Sequence, residues 1–227
     1  MTDHLRLLST LALKGAVERL AVPYQAMTGV KLDADFAPTV GLMTRLGEGE
    51  TADVLILTRE GLAELAAGGS VVAASKVDLA RSYVGLAVKA GHARPDISTE
   101  AALRAALLAA RSVAYSKIGA SGLYFAELIQ RLGIAAEINA RATITAGFTA
   151  EQLITGNADL AVQQLSELKQ VAGVDIVGPI PLSLQIPAVF TAGRMASSAK
   201  VAAADALLKY LASPEVAPVL RETGLEP

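Results

Sequence analysis

The feature that most constrains this chain is an alternation of short branched or leucine-rich runs with segments of helical spacing. Leu5–Ser9 is a short apolar run, and behind it Leu11, Leu13, Val17, Leu20 and Tyr24 recur at helical spacing from Thr10 to Thr28, with Gly29 closing the segment. A strand feeding a helix is the reading. Val30–Phe36 alternates with period two, Ala37–Gly41 breaks the pattern with Pro38 and Gly41, and Leu42–Leu46 resumes helical spacing. Asp53–Leu57 is apolar and branched, as a strand buried on both faces would be. The order β-α-β-α-β predicts an α/β fold with a mostly parallel sheet and helices on both faces.

The alternation restarts after Arg81-Ser82. Tyr83–Val88 reads as a strand, Ser98–Ala110 as a helix capped by Ser98 or Thr99, and Ser112–Ser116 as a strand. Gly122–Leu132 is a helix stopped by Gly133, Ala140–Thr145 a strand, and Thr149–Thr155 a helix ended by Gly156-Asn157. Asp159–Gln163 and Gly173–Gly178 are two further strands. After Pro179-Ile-Pro181 come a strand within Leu184–Thr191, a helix over Ser197–Ala212, and a terminal helix over Glu215–Glu222 started by Ser213-Pro214. The middle of the chain therefore holds a second α/β unit. No fixed-period sequence repeat accompanies it.

With 227 residues, 52% of them hydrophobic, the chain is long enough for one large domain or two lobes, and disorder is excluded. Twenty basic against twenty-two acidic residues leave a net charge of −2, which removes the clustered positive charge that nucleic acid binding needs. There is no cysteine, and His4 and His92 lie far apart at positions expected on the surface. No metal site and no cofactor are therefore expected. No window approaches the roughly 18–20 apolar residues of a membrane span, so membrane insertion is not expected. Met1–Ser9 has neither the basic start nor the apolar stretch of a leader, which fits a cytoplasmic protein or a periplasmic one whose leader has been removed.

In open α/β sheets ligands sit beyond the carboxyl ends of the strands, where helix N-termini present free N–H groups that favour anions. Three such turns are rich in hydroxyl and small residues: Ser9-Thr10, Ala37–Gly41 and Ser116–Gly122. Each also has a plainer role. Ser9-Thr10 fits a helix cap, Ala37–Gly41 an ordinary strand-to-helix turn, and a GxxG spacing is weak evidence for a phosphate cradle.

Taken in order, these pieces resemble the periplasmic molybdate-binding proteins and the wider type 2 periplasmic solute-binding proteins of ABC transporters. The matching segments are Leu7–Leu13, Asp35–Leu46, Gly49–Thr58, Val113–Ser116 with Gly119–Gly122, Ile154–Val162 and Tyr210–Glu215. The resemblance implies two lobes, each a mostly parallel sheet flanked by helices, joined by two crossover segments and closing on a ligand like a hinge. By analogy one lobe covers 1–81 plus 190–227 and the other 82–189. It also implies a small anionic ligand in the interlobe cleft, an ABC permease as partner, and a monomer. The ligand set carried over comprises Ser9, Thr10, Pro38, Thr39, Val40, Ser116, Ala120, Ser121 and Gly122. A family tyrosine after the last second-lobe strand is replaced here by Gln164, and whether Gln163 or Gln164 faces the cleft is left open by their alternation.

Two cations depart from the family's neutral donors: Lys117 inside the second-lobe turn and Arg81 at the first crossover. Their plainer roles are a solvated loop lysine and an arginine paired with Asp78. Fixed cations suit carboxylates, arginine through two parallel N–H bonds, so the expected ligand class includes small carboxylates as well as molybdate-like oxyanions. Some proteins similar to this family are enzymes, aconitate isomerase being one. That resemblance implies an alternative in which the same cleft moves a proton along an unsaturated polycarboxylate, with Lys117 as the base, since no histidine or isolated glutamate stands at a predicted turn. Tyr83 and Tyr115 are expected in the core or wall.

Overall fold

The computed structural model describes residues 4–227. They form two compact units: one is the chain up to Ser82 together with Ala188–Pro227, the other is Tyr83–Pro187.

In the first unit, β1 (His4–Thr10) runs through a 3-10 turn, Leu11–Leu13, into α1 (Lys14–Thr28). Gly29 ends α1 with φ of 74°, a left-handed conformation that suits a residue without Cβ. There follow β2 (Lys31–Ala37), α2 (Thr39–Gly47), β3 (Val54–Thr58), α3 (Arg59–Ala67) and β4 (Val77–Ser82). The second unit holds β5 (Val84–Lys89), α4 (Glu100–Ala109), β6 (Val113–Tyr115), α5 (Ala120–Arg131), α6 (Ala135–Asn139), β7 (Thr143–Ile144), α7 (Glu151–Ile154), β8 (Leu160–Gln164), α8 (Leu165–Leu168) and β9 (Val174–Pro179). The chain then returns to the first unit with β10 (Ala188–Arg194), α9 (Val201–Leu211) and α10 (Ala217–Glu222).

Each unit is built on a five-stranded sheet, ordered β2-β1-β3-β10-β4 in the first and β7-β6-β8-β5-β9 in the second. In both sheets the three leading strands pair in parallel, and one reversed strand, β10 or β5, pairs antiparallel on its two sides. The two sheets thus share one spatial order of strand directions, with the reversed strand last along the chain in the first unit and first in the second, without a visible sequence repeat, because buried apolar alternation, and not residue identity, specifies a strand. β3 is buried at Val54, Leu55, Ile56 and Leu57, as a central strand covered on both faces must be. One cluster, with Leu7, Val17, Tyr24, Ile56 and Phe190, fills one face of the first sheet, and a second, with Leu8, Leu42, Leu55 and Leu62, fills the other. The second sheet is covered likewise by clusters around Phe125 and around Leu153.

Several predicted boundaries are corrected. The stretch 59–82, left without elements above, holds α3 and β4; Thr58 caps α3 by accepting the Gly61 N–H. Ala140–Thr145 is not one strand, because α6 runs to Asn139 and only Thr143–Ile144 pair with β6. The strand expected over Leu184–Thr191 is β10, which begins four residues later and ends three later, since the Gln185 amide is used to bind the Val84 N–H and C=O and the Ile180 carbonyl. Thr99, and not Ser98, caps α4, and the terminal helix begins as a 3-10 turn, Pro214–Val216. No helix among the described residues is long and apolar enough to cross a membrane.

Candidate functional site

In the first unit the parallel register places the ends of β1, β2 and β3 side by side, with Ser9 opposite Phe36 and Ile56, and Thr10 opposite Ala37. Ser9 is fully buried and its hydroxyl donates to the Thr10 carbonyl at 3.1 Å, while Thr10 makes no side-chain cap bond to the turn it precedes. The capping role open to this pair is therefore not the one they fill. Pro38 stands at the N-cap of α2 and Val40 is exposed. Thr39, the first residue of α2, is 9% exposed, and its Oγ1 is buried with no hydrogen-bond partner among the described residues. A buried hydroxyl left in that state costs about 1–3 kcal/mol.

The turn after β3 belongs to the same end. A Cβ built on Gly61 would lie 3.0 Å from the Thr39 methyl and 3.3 Å from Thr58 Oγ1, so Gly61 lets α3 close against Thr39. Thr58 was legible as a cap, from a threonine immediately before a run of helical spacing. Arg81 reaches this end as well: Phe190 pairs with both Thr58 and Ala80, and Arg81 is the next residue of β4. Arg81 is exposed, its backbone N–H and C=O are both bonded to Glu226, and Val189 is its register partner on β10. The pairing of Arg81 with Asp78 is not found; Asp78 is held by Arg59 and by the Thr191 hydroxyl, at 2.6 Å, which keep its carboxyl below the usual range.

In the second unit, Ser116 follows β6 and is buried. Its hydroxyl accepts the N–H groups of Ile118 at 3.2 Å and Gly119 at 3.1 Å, which shapes the turn that opens α5. Ala120 and Ser121 are the first residues of α5, with Ser121 buried and Lys117 exposed on the turn. Gly122 has a steric reason: a Cβ there would lie 1.6 Å from the Ser116 carbonyl oxygen. Tyr115 is a core residue, edge-on to Phe125 at 5.2 Å and bonded through its hydroxyl to Asn139.

Gln163 and Gln164 have separate tasks. The Gln163 oxygen accepts the Thr149 N–H at 2.7 Å and its hydroxyl at 3.1 Å, and the Gln163 amide donates to the Gly147 carbonyl, so this side chain pins the loop after β7. Gln164, also buried, is the last residue of β8 and the N-cap of α8. Its side chain accepts the Glu167 N–H while the Glu167 carboxylate accepts the Gln164 N–H at 3.3 Å, a reciprocal capping box. Glu167 is 7% exposed. Burial pushes its carboxyl up to about 7, against the hydrogen bonds from the Gln164 amide and the Gln163 side chain. None of the three predicted turns holds a glutamate; Glu167 stands at a fourth, after β8. The usual capping-box signature begins with Ser or Thr, and the glutamine here hid it.

Two cavities within the units lie away from these turns. One of about 490 Å³, lined by Lys89, His92, Ala109, Arg111, Leu153 and Asp159, sits at the start of β8, the opposite end of that sheet. Another of about 350 Å³ adjoins Asp53 and Lys200 at the start of β3. Asp53, 6% exposed, there accepts the Arg6 N–H at 2.8 Å, the Ser198 hydroxyl at 2.7 Å and the Lys200 ammonium at 3.0 Å, a structural staple. No group of three or more potential metal ligands occurs among the described residues.

Two five-stranded α/β units with hydroxyl-lined turns at the carboxyl ends of their parallel strands define a type 2 periplasmic binding fold. The chain belongs to the family of bacterial extracellular solute-binding proteins, whose model matches residues 5–226. It is 38% identical over 230 residues to the aconitate isomerase of a Pseudomonas species, covering 98% of this chain and 87% of that protein. Among solved structures, the periplasmic molybdate-binding protein of Azotobacter vinelandii superposes with a TM-score of 0.83 at 20% identity, over 98% of this chain and 99% of that one. The sulfate-binding protein of Mycobacterium tuberculosis superposes with a TM-score of 0.79 at 15% identity, over 100% and 87% of the respective chains.

Proposed function

We propose that this chain binds a small anion of the polycarboxylate class at the strand-end turns of its sheets. The observation that carries the reading is Thr39: a hydroxyl buried without a partner, at the N-terminus of a nine-residue helix and at the carboxyl end of a parallel strand. A ligand oxygen there satisfies the hydroxyl and meets the free N–H groups of α2. Ser9 and Thr10 flank it on β1, and Ser116, Ala120, Ser121 and Gly122 supply the corresponding turn of the second unit, with Gln164 at the end of β8. Lys117 and Arg81, exposed at the same sheet ends, favour carboxylates over a tetrahedral oxyanion held by neutral donors alone. In the transport setting usual for the family, the protein is periplasmic and passes its ligand to an ABC permease.

A second reading is isomerisation of the bound polycarboxylate, favoured by the 38% identical aconitate isomerase. It requires a base at the carbon acid and cations for the developing enolate-like charge, with Lys117 as base and Arg81 as clamp. Titration calorimetry with trans-aconitate, tricarballylate, molybdate, sulfate and phosphate tests the first reading. Tighter binding of the carboxylates is the expected result, and heat only with molybdate or sulfate overturns it. Incorporation of deuterium from D₂O into cis- or trans-aconitate, followed by NMR, tests the second; binding without exchange leaves capture and delivery as the function.

A further inference from the structure

We propose that Glu167 is a positioning residue that couples anion binding at the end of β8 to the uptake of a proton. The inference rests on the anion reading given above. Its ground is the geometry of the capping box, in which Gln164 and Glu167 hold each other by two hydrogen bonds across the first turn of α8. Capping-box glutamates ordinarily sit at a wet helix end, but this one is buried, because α8 packs directly on β5, β8 and β9. Gly85 permits the approach; a Cβ there would lie 2.4 Å from Leu165 Cδ2.

The surroundings contain little that would neutralise the carboxylate. β8 carries no ionisable side chain. On β5 the one charged residue is Lys89 at its far end, and on β9 it is Asp175, which is engaged by the Gly91 N–H and by Arg94. Beyond α8 lies Lys169, Tyr83 precedes β5 and accepts the Leu165 N–H through its carbonyl, and Lys117 is exposed on the turn after β6. The hydrogen bonds that favour its carboxylate come from the Gln164 and Gln163 amides, so burial dominates and pushes the carboxyl up to about 7.

An anion touching Gln164 adds negative charge close behind that carboxyl. For a ligand charge about 10 Å from the carboxyl, Coulomb's law at an effective dielectric of about 20 gives a midpoint raised by about one unit. Binding then takes up about half a proton between pH 7 and 8, and affinity falls about tenfold from pH 6 to pH 9.

The test is calorimetry with trans-aconitate at pH 7.5 in two buffers of different ionisation enthalpy, on wild type and Glu167→Gln. Glutamine at this position still completes the capping box, and a thermal melt checks that the variant is folded. Proton uptake in the wild type and none in the variant is the expected result. Equal uptake in both, or binding by the wild type with no uptake, overturns the inference and leaves the anion reading intact. Absence of binding by trans-aconitate and tricarballylate overturns the polycarboxylate reading instead. In that event a ¹³C NMR titration of the Glu167 carboxyl with and without sulfate decides, and a midpoint unmoved by sulfate refutes the coupling.

Discussion

Replacing Gly122 by alanine should damage the second unit more than any other single methyl group added to the turns described above. The new Cβ would lie 1.6 Å from the Ser116 carbonyl oxygen and 2.5 Å from its carbonyl carbon, both backbone atoms that no rotamer change can move aside. Either the start of α5 or the turn before it must retreat by more than an ångström. That retreat breaks the bonds from the Ser116 hydroxyl to Ile118 N–H and Gly119 N–H, about 1 kcal/mol each, and adds overpacking strain of about 1–3 kcal/mol. Alanine recovers up to about 1 kcal/mol of helix propensity. The net loss is about 2–4 kcal/mol, roughly 10 °C or more in Tm for a unit of about a hundred residues. Urea unfolding monitored by circular dichroism measures it. The matched control is Gly47→Ala, where nothing lies within 4 Å and φ is not left-handed, so stability should hold or rise. A Gly122→Ala protein as stable as the wild type, with unchanged anion affinity, would refute the steric account of the turn.

Three further outcomes are expected. Thr39→Val removes the buried unpartnered hydroxyl and should leave stability unchanged or raised while lowering anion affinity about tenfold, measured by calorimetry; equal affinity removes Thr39 from the site. Asp53→Ala strips the acceptor shared by the Arg6 N–H, Ser198 and Lys200 and should cost the first unit about 2–4 kcal/mol in chemical denaturation. Although burial pushes the Asp53 carboxyl up, those three donors hold it below its ordinary value. Its contribution is therefore present above pH 4 and lost as pH falls through the lowered folded value, which a urea midpoint series in acid will show. Glu167 works in the opposite sense. Its folded midpoint of about 7 lies above the ordinary 4.5, so the second unit should lose up to about 3 kcal/mol as pH rises from 4.5 through 7, a slope absent in Glu167→Gln.

The strands were the most legible part of the fold. Asp53–Leu57 and Asp159–Gln163 announced β3 and β8 because a strand covered on both faces must be apolar throughout. The helix α3 was missed although Thr58 and the spacing of Leu62 and Leu65 carry its signal; α6, only five residues long, is too short to show a period. At the candidate site, the turns at Ser9, Thr39 and Ser116 stood out because serine, threonine and glycine gather there where strands run into helices, although the same residues also serve as caps and ordinary turns. Two things could not be seen. Glu167 looks like any surface glutamate until Gly85 and Leu165 bring α8 onto the sheet, since burial of a charge is a property of packing. The orphaned Thr39 hydroxyl likewise exists only once Gly61 has let α3 close beside it.

The placement of β10 between β3 and β4 bears on how the protein is made. The second unit is contiguous along the chain, whereas the first has β3 and β4 unjoined until residue 194 has been translated. Over more than a hundred codons a nascent three-stranded sheet therefore carries a bare edge at β3, whose apolar Val54–Leu57 run is the kind of template on which polypeptides associate wrongly. A pause in translation before Ala188 would lengthen that vulnerable interval, and holdase chaperones acting on the growing chain would find their natural target there.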